Sequence, residues 1–351
     1  MQKRINKLKK LIKREYPSLD ALLIKSPSNI YYLTQINNLE GYLLFTHQES
    51  ILFTDFRYYQ EARKKLSSLF KIKMLKGKWL ELILREVKKS KIRKIGLEVK
   101  DINLKEYEQL KSYAATMDIE LISTQNIVEN IRAIKEEREI KLIKEAAKIA
   151  RQAFLYAESI IYPGLSEKYI DVEIEHFLKT KADLDLAFSP IVASGKNTSF
   201  PHHRPGERKI SLKDVILIDL GAKYHGYCSD LTRIFVLSKM PFYVKRIFDI
   251  MKKAKDLAIN KIKAGVKISE VDKIARSYID KKGYGKYFLH SLGHGVGLDV
   301  HETPIVNSRN SSILKENMVI TIEPGIYLKE RFGVREENMI LVKSHKAEVI
   351  A

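Results

Sequence analysis

The second half of this chain repeats itself, and that repeat restricts its fold more than any other feature. Gly164 and Gly265 stand 101 residues apart. At the same offset Ala153 matches Ala254, Ala157 matches Ala258, and Ile161 matches Ile262. The register continues through Ile170 and Val271, Asp171 and Asp272, Phe177 and Tyr278, and Leu178 and Ile279. These positions are spaced as one helix face, a glycine turn and a second helix, so a helix-rich unit is duplicated. With small loop drift the repeat extends further. His202-x-x-Pro205 matches His301-x-x-Pro304, Asp219-x-Gly221 matches Glu323-x-Gly325, and Gly226-x-x-x-Asp230 matches Gly333-x-x-x-Glu337.

The repeat therefore delivers carboxylates in two related pairs. Asp219 closes the apolar run that starts at Val215, and Glu323 closes the one that starts at Val319, just before Pro324-Gly325. Asp230 and Glu337 follow within glycine-led loops, and His294 lies in the glycine-flanked stretch Gly293-His294-Gly295. A lone Asp at a strand end is ordinarily a turn or cap residue. Five such residues, four of them repeat-related, read instead as one site. Four buried carboxylates and one imidazole require cations. An oxygen-rich set with a single nitrogen suits a pair of Mn²⁺, Co²⁺, Fe²⁺ or Zn²⁺ ions better than a lone structural zinc. Two halves packed about a pseudo-twofold axis would let the inner pair, Asp230 and Glu337, bridge both ions. Asp219 and Glu323 would then each favour one ion, with His294 on the Glu323 side.

At 351 residues two domains are the natural prior, and the expected boundary lies near Ser123, giving residues 1–122 and 123–351. Residues 21–24, 42–45, 51–54 and 95–98 read as strands, and 56–69, 79–89 and 103–115 as helices, an α/β pattern. The region from Val128 to about Ser159 reads as one or two helices rich in Lys and Glu. No apolar run of about 18 residues suggests a transmembrane helix. The basic N-terminus lacks an apolar segment behind it, so an amphipathic helix is expected there, not a secretory signal. The single cysteine, Cys228, excludes an internal disulfide and suits a reducing cytoplasm. The net charge of +20 is dispersed (Lys9-Lys10, Lys88-Lys89, Lys252-Lys253, Lys281-Lys282), which reads as solvated helix faces and not as a nucleic-acid surface.

Taken in order, the Asp, the second Asp, the glycine-flanked His, the Glu before Pro-Gly and the final Glu resemble the pita-bread metallopeptidases. That family includes methionine aminopeptidase, Xaa-Pro aminopeptidase and Xaa-Pro dipeptidase (prolidase). Asn29-Ile-Tyr-Tyr-Leu-Thr34 and Thr54-Asp-Phe-Arg-Tyr58 resemble the creatinase/prolidase N-terminal domain, which points to the proline-directed branch. Pro201-His202, the run Gly221 to Arg233, Val300-His301-Glu302 and Val334 to Glu337 support the match. Asn338 departs from it, since an Asp is common there.

The resemblance implies an α/β (α+β) chain: a creatinase-like N-terminal α/β domain, then a pita-bread domain of duplicated helix and strand halves. It implies hydrolysis of the Xaa–Pro bond at the N-terminus of short peptides, with two divalent ions, Mn²⁺ ahead of Co²⁺, Zn²⁺ or Fe²⁺, activating a shared hydroxide. Glu323 would be the general base and would pass a proton to the departing proline nitrogen. His202 and His301 would flank the substrate, one stabilising the oxyanion, while His290 lines the proline pocket and Arg335 orients a carboxylate. His203 has no repeat partner and is not expected to be catalytic; His176 and His225 read as surface residues. A homodimer is implied, with Arg57 and Tyr58 reaching the partner's active site. The intact carboxylate set disfavours two other readings, a non-catalytic nucleic-acid-binding protein on the same fold and a metal-free amidinohydrolase. Aminopeptidase and dipeptidase both stay open.

Overall fold

The computed structural model describes residues 1–181 and 185–351. They divide into two units, Met1–Arg132 and Ala133–Ala351. In the first unit the apolar runs become the centre of a six-stranded sheet. Its strands are β1 (Ala21–Ile24), β2 (Gly41–Thr46), β3 (Ser50–Thr54), β4 (Lys71–Met74), β5 (Lys94–Glu98) and β6 (Glu120–Thr124), in the order β4-β3-β2-β1-β5-β6. β1, β2 and β3 pair antiparallel, and β4, β5 and β6 join parallel to their neighbours. Helices α1 (Gln2–Glu15), α2 (Pro27–Thr34), α3 (Phe56–Leu66), α4 (Trp79–Lys89), α5 (Leu104–Ala115) and α6 (Ile127–Arg132) complete the unit. In α1 one stripe, Arg4, Ile5, Leu8 and Ile12, is buried, and its lysines occupy the rest of the helix surface. Much of the positive charge is carried in this way.

The two edge strands were not expected from sequence. β4 (Lys-Ile-Lys-Met) and β6 (Glu-Leu-Ile-Ser-Thr) bury too little to carry an apolar run. The expected boundary near Ser123 consequently falls inside β6, where Ser123 pairs with Leu97. The strand and α6, with Ile127, Val128 and Ile131 buried, belong to the first unit.

In the second unit the repeat is visible in the backbone. Helices α7 (Glu137–Ile160) and α8 (Glu167–Lys181) correspond to α9 (Phe242–Lys261) and α10 (Ile268–Lys281). Gly164 and Gly265 join the members of each pair with φ of +97° and +90°, a conformation only glycine adopts without strain. The Gly164 amide donates to Ile210 O at 2.8 Å and the Gly265 amide to Leu314 O at 2.9 Å, so the two turns are tied down alike. The first half contributes β7 (Ile191–Ser194), β8 (Val215–Leu220), the hairpin β9 (Lys223–Tyr224) and β10 (Tyr227–Cys228), and β11 (Leu231–Val236). The second contributes β12 (Gly293–Gly295), β13 (Glu302–Val306), β14 (Val319–Ile322), the hairpin β15 (Gly325–Leu328) and β16 (Phe332–Arg335), β17 (Asn338–Val342) and β18 (Ala347–Val349). The sheet orders are β11-β8-β7 and β13-β12-β14-β17-β18. In each half a hairpin leaves the sheet between two paired strands, β8 and β11 or β14 and β17. The carboxylates sit where the chain leaves and re-enters: Asp219 and Asp230 in one half, Glu323 and Glu337 in the other.

Candidate metal centre

The two sheets meet at these departure points. The Glu337 amide donates to Thr232 O at 3.2 Å, and the Arg233 guanidinium donates to Glu337 O. That stitch draws the carboxylates together from both halves. Asp219, Asp230 and Glu337 offer oxygens within 4.8 Å of one another, and so do the ligand atoms of His294, Glu323 and Glu337. Glu337 belongs to both groups. Asp230, His294 and His301 form a third. All five residues expected to be ligands therefore converge.

His294 is set for coordination by its tautomer. Its Nδ1 lies 3.1 Å from Gly295 O, a carbonyl that can only accept, so Nδ1 carries a proton and Nε2 is the nitrogen turned to the carboxylates. Nε2 lies 3.2 Å from Glu323 Oε1 and 3.4 Å from Asp230 Oδ2. Thr321, two residues before Glu323 and on the same strand face, donates its hydroxyl to Glu323 Oε1 at 3.2 Å.

Burial, followed by the charges of Glu337, Asp219 and Glu323, pushes Asp230 well above the ordinary carboxylate range. Glu337 is raised in the same way, by burial and then by Glu323 and Asp219. Asp219 is raised by burial although Arg335 opposes it. Glu323 goes down: burial resists ionisation, but His294, His290 and Arg335 outweigh it. Among the described residues, Asp219 Oδ1 and Glu337 Oε1 are buried with no hydrogen-bond donor. Anionic oxygens that converge, are buried and lack donors are what divalent cations satisfy. This chain's residues fit a metal pair.

Arg335 is a fixed cation beside them. It donates from Nη2 to Asp219 Oδ2 at 2.5 Å, from Nε to Thr232 Oγ1 at 3.0 Å, and from Nη1 to Tyr327 Oη at 2.9 Å. Tyr327 was missed in the sequence, because a single Tyr on a short strand carries no distinguishing signal. Its hydroxyl lies 3.3 Å from His290 Nε2, while His290 Nδ1 lies 2.8 Å from Ser291 O. The chain Asp219–Arg335–Tyr327–His290 thus ties the carboxylate cluster to a half-buried imidazole whose ionisation is suppressed by burial.

His202 and His301 are both exposed, one on each His-x-x-Pro loop. The His301 ring centroid lies 4.2 Å from that of His294. Burial, and then the charge of His294, lowers the His301 pKa; the nearby His202 adds to the effect. His203 is structural: its Nε2 lies 2.8 Å from Oε2 of Glu167, which is fully buried. Glu167 also accepts from the Ser194 amide and hydroxyl and from Asn197, so it fastens the loop that presents His202. His176 and His225 are exposed. Asn338 accepts from Lys255 Nζ at 2.6 Å, an arrangement that keeps a polar partner where the family commonly has an Asp.

Residues 141–344 match the family model of metallopeptidase family M24, and residues 4–134 match that of the creatinase/prolidase N-terminal domain. An Xaa-Pro dipeptidase of Pyrococcus horikoshii is 36% identical over 338 residues, covering 96% of this chain and 94% of that protein. The solved structure of an Xaa-Pro dipeptidase from Bacillus anthracis superposes with a TM-score of 0.94 at 36% identity, over 99% of this chain and 97% of the other. An X-Pro aminopeptidase from Thermotoga maritima superposes with a TM-score of 0.85 at 34% identity, over 95% of each chain. With its repeat, its converging carboxylates and both family models matched along its length, the chain belongs to metallopeptidase family M24 and carries a creatinase/prolidase N-terminal domain.

Proposed function

We propose that this chain is a dinuclear-metal exopeptidase that hydrolyses the Xaa–Pro bond at the N-terminus of short peptides. The observation that carries the reading is the pair of donorless buried oxygens, Asp219 Oδ1 and Glu337 Oε1, inside a five-residue ligand set. Asp219, Asp230, His294, Glu323 and Glu337 would hold the ions, and Mn²⁺ is the first candidate. Bound there, two divalent ions supply Lewis acidity and lower the pKa of water.

The protein's own groups do the rest. Glu323, whose ionised form the Arg335 charge favours, takes a proton from the attacking water at a carboxylate oxygen. It then hands that proton to the proline nitrogen, a poor leaving group until protonated. His301 and His202 stand on the two half-related loops and hold the substrate carbonyl and its end. His290, oriented by Ser291 O and Tyr327, lines the proline side. Arg335 fixes Asp219 and compensates the clustered charge.

We further propose a cytoplasmic homodimer. Among the described residues no helix is long and apolar enough to cross a membrane. Arg57 donates to Asp55 and Glu40 at 2.6 Å within its own unit, so a role toward a partner subunit would use the face these contacts leave open. The reading is tested by loading purified protein with Mn²⁺ or Co²⁺ and following Ala-Pro beside Ala-Pro-Ala. Cleavage of the dipeptide alone makes it a dipeptidase; cleavage of the tripeptide makes it an aminopeptidase. No cleavage of either by protein carrying two ions refutes the substrate class.

A further inference from the structure

His301 stands on an exposed bend, yet the next residue is locked in the interior. Glu302 opens β13, and its Oε1 lies 2.8 Å from Lys135 Nζ. The two side chains are 4% and 1% exposed, so almost no solvent screens the pair. Lys135 is itself anchored. Its amide donates to Asn317 O at 2.9 Å, Ile134 bridges to Met318, and its Nζ lies 3.4 Å from Ala133 O. These contacts fasten the lysine to the chain that leads into β14 and so to Glu323.

The loop between His294 and His301 is shaped around the same carboxylate. A Cβ on Gly297 would lie 2.3 Å from Glu302 Oε1, so a side chain there would displace the carboxylate from its place. Gly297 O accepts from the Cys228 amide at 2.7 Å, and Leu298 O lies 3.7 Å from Cys228 Sγ. A buried ion pair of this kind contributes little net stability compared with a well-packed apolar pair, and its better-attested use is to fix one register. Neither Lys135 nor Glu302 belongs to the proposed ligand set or to the three histidines.

We infer that Lys135 and Glu302 are a positioning pair that sets His301 against the carboxylate cluster. This rests on the proposed role of His301 at the substrate. Lys135→Met is expected to lower kcat/KM by about 100-fold, the cost of moving a catalytic group by roughly an ångström. The loss should appear mainly in kcat, with two metal ions still bound. It should also be absorbed by the histidine: Lys135→Met/His301→Ala should be no slower than His301→Ala alone. Losses that multiply in the double variant would overturn the inference.

A second readout does not depend on turnover. In protein labelled at histidine, the imidazole cross-peak of His301, identified by its loss in His301→Ala, should shift or broaden in Lys135→Met, while that of His202 stays. An unmoved His301 signal overturns the inference even if no peptide is cleaved. If Lys135→Met does not fold, Glu302→Gln keeps the volume and removes the charge, and the same two readouts decide. An active wild type with an equally active His301→Ala would refute the proposed role of His301, whatever the cross-peak reports about the brace.

Discussion

Each unit of the molecule buries acid, and each handles it differently. In the first unit Glu98 accepts from the Lys25 and Ser26 amides at 2.8 and 2.9 Å and from Asn29 Nδ2 at 2.7 Å. Both of its oxygens are satisfied by protein, and the group serves the fold. In the second unit Asp219 and Glu337 each keep an oxygen with no donor, facing other carboxylates. Asp171, in the same unit, also has a donorless oxygen, but among the described residues it joins no converging ligand group, and burial and the charge of Glu175 push its pKa up to about 6. It can relieve itself by taking a proton. Convergence separates a metal site from a misplaced acid; one orphan oxygen does not suffice.

The largest effect expected from this contrast is at the cluster. Glu337→Ala should reduce peptide cleavage by about 1,000-fold or more, the equivalent of several kcal/mol of transition-state stabilisation, and should reduce bound metal from two ions. Elemental analysis alongside kinetics checks both. A variant that keeps two ions and full activity would place Glu337 with Glu98, as an acid of the fold.

Next comes Glu98 itself. Burial pushes its pKa up to about 7 against an ordinary value of 4.5. A carboxyl raised on folding contributes stability that is whole below the ordinary value and lost as pH rises through about 7. The shift corresponds to about 3 kcal/mol between pH 4.5 and pH 8. Trp79, the single tryptophan of the chain, lies on α4 of the first unit, so its fluorescence follows urea unfolding there. The midpoint should fall across that range in the full chain, and Glu98→Gln should flatten the slope while leaving metal content unchanged.

Arg335→Lys should weaken metal binding by about 10- to 100-fold, because an ammonium cannot reach Asp219, Thr232 and Tyr327 at once. A metal titration monitored by activity measures it. The smallest effect is expected from Thr232→Val, which removes the donor to Glu337 Oε2 at 3.0 Å. With cations bound it should cost less than about 10-fold in kcat/KM, since the metals hold the carboxylate. A larger loss would mean that Glu337 depends on protein donors after all.

Much of the site could be read from the chain because the duplication writes it twice. Asp219 and Glu323, or Asp230 and Glu337, are recognisable as pairs before any coordinates are known. What was illegible lacked a repeat partner or an apolar pattern. Tyr327 and Thr321 earn their places through strand geometry, two residues from Gly325 and Glu323. Glu167 and Lys135 lie 35 and 166 residues before the histidines they serve, far beyond any local spacing rule. The edge strands β4 and β6 are half exposed, so their composition resembles that of loops, and the domain boundary shifted with β6.

Cys228 gives the molecule a clock. Its thiol is buried against the loop that precedes His301, and burial pushes its pKa up to about 12, so at neutral pH it is a protonated, sheltered group. A thiol reagent in solution can react with it only during moments when the packing around it opens. The labelling rate therefore counts those openings, one covalent event at a time, in the region where Cys228 meets Leu298.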